Sequence, residues 1–148
     1  MKKTVLSSFL VASLMVGLVS CSNEANVGAD EINSAHIDPE NPPVMEFETP
    51  LYDFGTISKG QVVKYSFEFT NTGKSDLLIQ SARGSCGCTV PKSWPKDPVK
   101  PGETGTIEVN FDSEHKSGKQ DVTVTILANT VPTKNEVKLT GFVASPNE

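Results

Sequence analysis

The sequence predicts an all-β domain between residues 44 and 145, built as two antiparallel sheets packed face to face. Three observations carry this. Apolar residues recur at every second position in short runs, β-branched and aromatic residues fill those runs, and Gly, Pro, Asn and Asp interrupt them at short intervals. No segment carries the sustained 3.6-residue stripe of an amphipathic helix.

The first run is Met45-Glu46-Phe47-Glu48, broken by Pro50. Leu51-Tyr52-Asp53-Phe54 follows and is expected to end at Gly55. Residues 61–70 alternate most clearly, with Val63, Tyr65, Phe67 and Phe69 on one face and Lys64, Ser66, Glu68 and Thr70 on the other. Asn71-Thr72-Gly73-Lys74 reads as a turn. Residues 76–83 alternate again and carry Leu77 and Ile79. After a second turn at Lys100-Pro101-Gly102-Glu103, residues 106–112 point Ile107, Val109 and Phe111 inward. Residues 121–128 do the same with Val122, Val124, Ile126 and Ala128. The last run, residues 136–143, carries Val137, Leu139 and Val143. About seven strands over some hundred residues, each with one apolar face, fit an immunoglobulin-like sandwich. The cysteine pair that joins the sheets of antibody domains is absent, and Trp94 falls in a Pro-rich loop, so the topology is not that of an antibody domain.

Upstream the pattern is different. Residues 1–20 open with Met1-Lys2-Lys3 and continue through an apolar stretch from Val5 to Val19, interrupted by Ser7, Ser8, Ser13 and Gly17. A basic start, a short apolar core and small residues at the exit describe a secretory signal peptide. The stretch is shorter than the ~20 residues a spanning helix needs, and no basic stop-transfer cluster follows. Leu18-Val19-Ser20-Cys21 resembles the bacterial lipobox, in which the cysteine is acylated and becomes the mature N-terminus. Cys21 is therefore the expected lipid attachment site, carrying palmitate-type chains. Each buried methylene contributes ~0.8 kcal/mol, and two or three chains make a permanent tether. The resemblance further implies that Ser22 directs the protein to the outer membrane. Residues 21–43 have no apolar period and hold Pro39, Pro42 and Pro43, so beyond the lipidated cysteine they read as a hydrated spacer. As a coil, its 22 residues after Cys21 span on the order of 25 Å. Residues 146–148 form a short tail.

Removing Lys2 and Lys3 with the signal leaves 11 basic against 18 acidic side chains, a net of −7. That balance argues against nucleic acid, which is gripped by clustered Lys and Arg. The lysines present, Lys92, Lys96, Lys100, Lys116 and Lys119, are scattered. Apart from Cys21 only Cys86 and Cys88 remain, too few for a disulfide scaffold, so the fold must rest on a hydrophobic core.

Several stretches together resemble a bacterial family. They are Tyr52-Asp53-Phe54-Gly55-Thr56-Ile57, Phe67-Glu68-Phe69-Thr70-Asn71-Thr72-Gly73, Ser85-Cys86-Gly87-Cys88-Thr89-Val90-Pro91, Lys100-Pro101-Gly102-Glu103 and Ile107-Glu108-Val109-Asn110-Phe111. The family is domain-of-unknown-function family 1573, frequent in secreted and lipid-anchored proteins of Bacteroidetes. The resemblance covers residues 46–143. Its Ser-Cys-Gly-Cys-Thr core is specific, whereas Phe-x-Phe-x-Asn-Thr-Gly is shared with sperm-protein-like and PapD-like modules. It implies an immunoglobulin-like fold and a compartment outside the cytoplasm, and no established activity.

Cys86-Gly87-Cys88 is the strongest chemical lead and admits three roles. In an extended strand the two Cα atoms would lie ~6.6 Å apart, near the upper limit for a disulfide, and a kink at Gly87 would shorten that. Alternatively, two thiolates on one face suit Cu(I), while Zn²⁺ would need His36 or His115 as well. Thirdly, the pair could pack as small hydrophobes. The spacing is not the Cys-x-x-Cys of thioredoxin-like proteins, and no helix follows to lower a thiol pKa. Other motifs are bland. Asp53-Phe54-Gly55 lacks the remaining kinase loops. Gly73-Lys74-Ser75 has Glu68 where a phosphate loop needs its first glycine, and reads as a hairpin turn. His36 and His115 sit in polar segments. The sequence thus points to a lipid-anchored envelope protein that works by binding or structural support, with no catalytic residue and no cofactor. Its partner is expected to be an envelope protein or a glycan. The alternative is a thiol-redox or copper-handling protein built on Cys86 and Cys88.

Overall fold

The computed structural model describes residues 38–145. The signal segment, Cys21, His36, the spacer through residue 37 and the tail 146–148 lie outside the described residues.

Eight strands form two four-stranded sheets. They are β1 (Met45–Phe47), β2 (Leu51–Ser58), β3 (Val62–Asn71), β4 (Ile79–Gly84), β5 (Thr89–Ser93), β6 (Thr104–Asp112), β7 (Gly118–Ala128) and β8 (Lys134–Ala144). One sheet runs β1-β3-β6-β5 and the other β2-β8-β7-β4. The residues that the alternation turns inward meet between the sheets: Phe67, Phe69, Ile107, Val109 and Phe111 from the first and Val122, Val124, Ile126, Val137 and Leu139 from the second are buried. Apolar burial of this kind, at ~25 cal/mol per Å², is what offsets the ordering of the chain.

Three local expectations are corrected. The sheets are not wholly antiparallel, because β2 pairs in parallel with β8. Pro50 ends the ladder of β1, the chain changes sheets there, and β2 enters the second sheet running with β8; the Lys138 N–H donates to the Pro50 carbonyl at 2.8 Å. Nor does β2 stop at Gly55. The strand passes through a bulge between Asp53 and Thr56, with Gly55 at φ 69° and its N–H donating to Asp53 Oδ1 at 2.8 Å. The bulge resets the alternation, so Phe54 and Ile57, three residues apart, both pack on the core. Finally, Gly73-Lys74-Ser75 is not a hairpin turn. It carries the chain from β3 to the opposite sheet, and Leu77 first bridges to Val99 before β4 begins at Ile79.

The strand that the alternation does not reveal, β5, lies at an edge and contains Pro91, with a register shift between Pro91 and Ser93. Proline is tolerated there because an edge strand leaves one row of N–H groups unpaired.

Candidate functional site

The segment between β4 and β5 crosses from one sheet to the other at the side of the sandwich where those two edge strands meet. Gly84 permits the crossing: a Cβ there would collide with the Thr89 carbonyl oxygen. Ser85 then ties the segment to β7, its N–H donating to the Thr123 carbonyl at 2.8 Å and its Oγ accepting from the Thr123 N–H at 3.2 Å. The Thr89 N–H closes a tight turn onto the Cys86 carbonyl at 3.1 Å, and the Asp112 N–H donates to the Cys88 carbonyl at 2.8 Å.

Within this turn Cys86 and Cys88 are joined as a disulfide, with their Cα atoms 5.2 Å apart. The separation is well below the extended-strand value because the turn folds the chain at Gly87 and Cys88. Both cysteines are partly exposed and Gly87 is exposed. No atom lies within 4 Å of where a Gly87 Cβ would stand, so the outer side of the turn is open. In this state each sulfur is bonded to the other and neither is a thiolate. Thr89, by contrast, is buried, and its Oγ lies 3.6 Å from Cys86 Sγ and 3.7 Å from Cys88 Sγ. Disulfide sulfurs carry no proton, so the hydroxyl is the donor, and its single proton can serve either sulfur.

A three-residue loop gives the disulfide little leverage on the unfolded chain. The chain-entropy relation yields roughly 1.6 kcal/mol, about half the value for a fifteen-residue loop. The backbone hydrogen bonds around the turn already hold its shape.

Beside Cys88 lies a cavity of about 260 Å³ lined by Gly87, Cys88, Asp112, His115 and Lys116. The loop after β6 brings these residues in. Buried Ser113 pins that loop, its Oγ donating to the Gln61 carbonyl at 2.7 Å and the Ser58 carbonyl at 3.2 Å. Asp112 Oδ1 accepts from the Glu114 N–H at 2.9 Å, and the Lys116 N–H returns to the Ser113 carbonyl at 3.0 Å. His115, distant from the cysteines in sequence, thus shares a cavity with Cys88. Sequence reasoning raised His115 only as a further ligand that Zn²⁺ would need and could not place it beside Cys88, because Pro91 conceals β5; the β5–β6 pairing, Thr89 opposite Phe111, brings residues 112–116 alongside the turn.

A second feature lies on the opposite side of the sandwich. β1 covers only Phe69, Thr70 and Asn71 of β3. The Glu48 N–H donates to the Glu68 carbonyl at 3.1 Å, which fixes the parity: even-numbered β3 residues turn their backbone groups toward this edge. No strand among the described residues pairs with Val62, Lys64 and Ser66 there. An open groove of about 390 Å³ runs beside β1, lined by Glu46, Phe47, Glu48, Glu68 and Phe69 among others.

Among solved structures, the chain is similar to a protein of unknown function from Porphyromonas gingivalis W83, at 18% identity and a TM-score of 0.61, covering 74% of this chain and 51% of that one. It is also similar to the secreted serine protease VesC of Vibrio cholerae, at 14% identity and a TM-score of 0.56, covering 70% of this chain and 24% of the protease. The ASH/PapD-like domain 7 of human CEP192 matches at 12% identity and a TM-score of 0.52, covering 78% of this chain and 94% of that domain. At such identities the likeness is one of fold: an all-β, immunoglobulin-like sandwich. The chain spans about half the length of the Porphyromonas protein. No curated protein matches it. The match that carries more than fold is to a family model, described as protein of unknown function (DUF1573), which covers residues 45–143; it spans the Ser-Cys-Gly-Cys-Thr turn and all but the ends of the sandwich, and the chain belongs to that family.

Proposed function

We propose that this protein is a lipid-anchored component of the outer membrane whose immunoglobulin-like domain works as a binding module, taking an extended segment of an envelope protein along the free edge of β3. The observation that carries this is the unpaired row at Val62, Lys64 and Ser66. Exposed strand edges accept a partner's strand through main-chain hydrogen bonds, and neighbouring side chains then set specificity. Glu48 and Glu68 line a groove together with Ser66 of this edge, so a segment carrying Lys or Arg fits best. The fold shared with a PapD-like domain supports a binding or structural role in general terms.

The test is capture from the native envelope by the wild-type protein and by Ser66→Pro. Ser66 is exposed, and its N–H faces the free edge, so proline there removes a donor to the partner and none to β6. Ser66→Pro should keep a cooperative melt and lose the captured protein. Capture that survives in the folded variant would refute edge pairing, and recovery of glycan in place of protein would show the wrong partner class.

A further inference from the structure

We propose that the Cys86–Cys88 disulfide is a thiol–disulfide exchange site whose reaction partner is a dithiol. The disulfide is partly exposed, and its turn is open on the Gly87 side, so a thiolate can reach it. Its three-residue loop contributes little to stability, and the hydrogen bonds from Ser85 to Thr123, Thr89 to Cys86 and Asp112 to Cys88 hold the turn independently of the S–S bond. Reduction therefore leaves the corner folded. What a structural staple does not need is the polar environment of the sulfurs. Thr89, buried and within hydrogen-bonding distance of both, holds a hydroxyl ready for whichever sulfur becomes anionic. Cys88 lines a cavity together with Lys116 and His115, the two basic residues on its wall. Asp112 is the acidic group on that wall, and its carboxylate is engaged by the Glu114 N–H. Glu114 is directed elsewhere, toward Gly60.

This arrangement assigns the two sulfurs different roles. A thiolate of the dithiol attacks Cys86 Sγ, forming a mixed disulfide. The S–S bonding pair passes to Cys88 Sγ, which leaves as a thiolate beside Lys116 and accepts the Thr89 hydroxyl hydrogen bond. The second sulfur of the dithiol, once deprotonated, attacks its own partner sulfur in the mixed disulfide and expels Cys86 as a thiolate. Both cysteines then take up protons. The dithiol has lost two electrons and two protons and become a disulfide, and Cys86 and Cys88 have gained them.

The experiment uses the full-length protein, with dithiothreitol as the dithiol and glutathione as a monothiol that leaves a trappable adduct. Native protein should be reduced by dithiothreitol and reoxidised by glutathione disulfide with its melting curve retained. Acid quenching during reaction with reduced glutathione, followed by peptide mass spectrometry, should place the adduct on Cys86. Thr89→Val should slow reduction about tenfold, the worth of one hydrogen bond to a charged group. Lys116→Gln, at a half-buried position, should slow it without altering the melt, which guards against a folding defect in the Thr89 variant. The proposal is overturned by a disulfide that is reduced only after denaturation, by an adduct on Cys88, or by unchanged rates in both folded variants.

Discussion

Asn71 has no exposed surface, and every polar atom of its side chain is engaged. Its Nδ2 donates to the carbonyls of Ser75 at 2.8 Å and Val99 at 2.9 Å, while its Oδ1 accepts from the N–H groups of Gly73 at 3.0 Å and Val44 at 3.3 Å. One residue thereby joins the end of β3, the crossing to β4, the segment before β6 and the approach to β1. Asn71-Thr72-Gly73 is legible in the sequence as a place where the chain turns. The long-range half of its role is not, because nothing local announces that Val44 and Val99 arrive there. Asn71→Ala leaves two carbonyls and two N–H groups to find other partners, so it should cost ~3 kcal/mol or more. A urea midpoint measurement checks this, and a loss below ~1 kcal/mol would contradict the hub. The apolar residues are simpler. Phe67 is fully buried and Glu68 exposed, as the alternation of residues 61–70 implies. Phe67→Ala should cost ~3–5 kcal/mol, and Glu68→Ala, whose side chain is in water, within ~0.5 kcal/mol.

At the level of elements, strands with uninterrupted alternation are those the sequence displays: β3, β6, β7 and β8 lie where the period-two pattern puts them. The structure extends them at polar ends, as at Gly118–Gln120 of β7, because ladder hydrogen bonds continue past the last apolar residue. What stays hidden is wherever the period breaks. Pro91 masks β5, and the bulge in β2 makes Gly55 look like a terminator. The bulge has a partner in Gly141 of β8. A Cβ at Gly141 would land in the Phe54 ring, which stacks on Phe111 with centroids 5.2 Å apart. A glycine in the middle of a long strand is otherwise a weakness, so its presence marks the place where Phe54 lies flat across the sheet. Gly141→Ala should therefore destabilise the domain by ~1–3 kcal/mol through overpacking, although alanine ordinarily favours the folded chain over glycine. In the Phe54→Leu background the same substitution should cost less, since the smaller side chain vacates the space. A double-mutant cycle by thermal or chemical denaturation measures that difference, and additive losses would show that the two residues do not couple.

Over the whole molecule, the two sides of the sandwich differ. The β4–β5 side is crossed by the disulfide turn, which ties both sheets together, while the β1–β2 side is left with the uncovered edge of β3. The chain enters the first sheet on this side, since β1 is its edge strand there. Metabolic labelling with a fatty acid should tag the wild type and not Cys21→Ala, and equal labelling of both would end the lipid-anchor proposal. The onset of alternation at Val44 is legible in the sequence, but the contacts of the domain reach further back. The Ser75 hydroxyl donates to the Asn41 carbonyl at 2.5 Å, and the Lys74 N–H to the Pro42 carbonyl at 3.4 Å. Gly73 lies so close beneath Pro42, Pro43 and Val44 that a Cβ there would strike their backbone. Residues 41–43 are thus packed on the crossing from β3 to β4, the same segment that Asn71 organises. No side-chain pattern signals this, since main-chain carbonyls make the contacts and prolines supply them as well as any residue. A chain beginning at Asp38 and one beginning at Val44 should both give β-type circular dichroism and a cooperative melt, because the buried core residues all lie between Met45 and Val143. The shorter chain should be less stable by ~1–2 kcal/mol, the worth of two modest hydrogen bonds. Equal stability would show that residues 41–43 merely rest on the domain, and failure of the shorter chain to fold would show that they are part of its core.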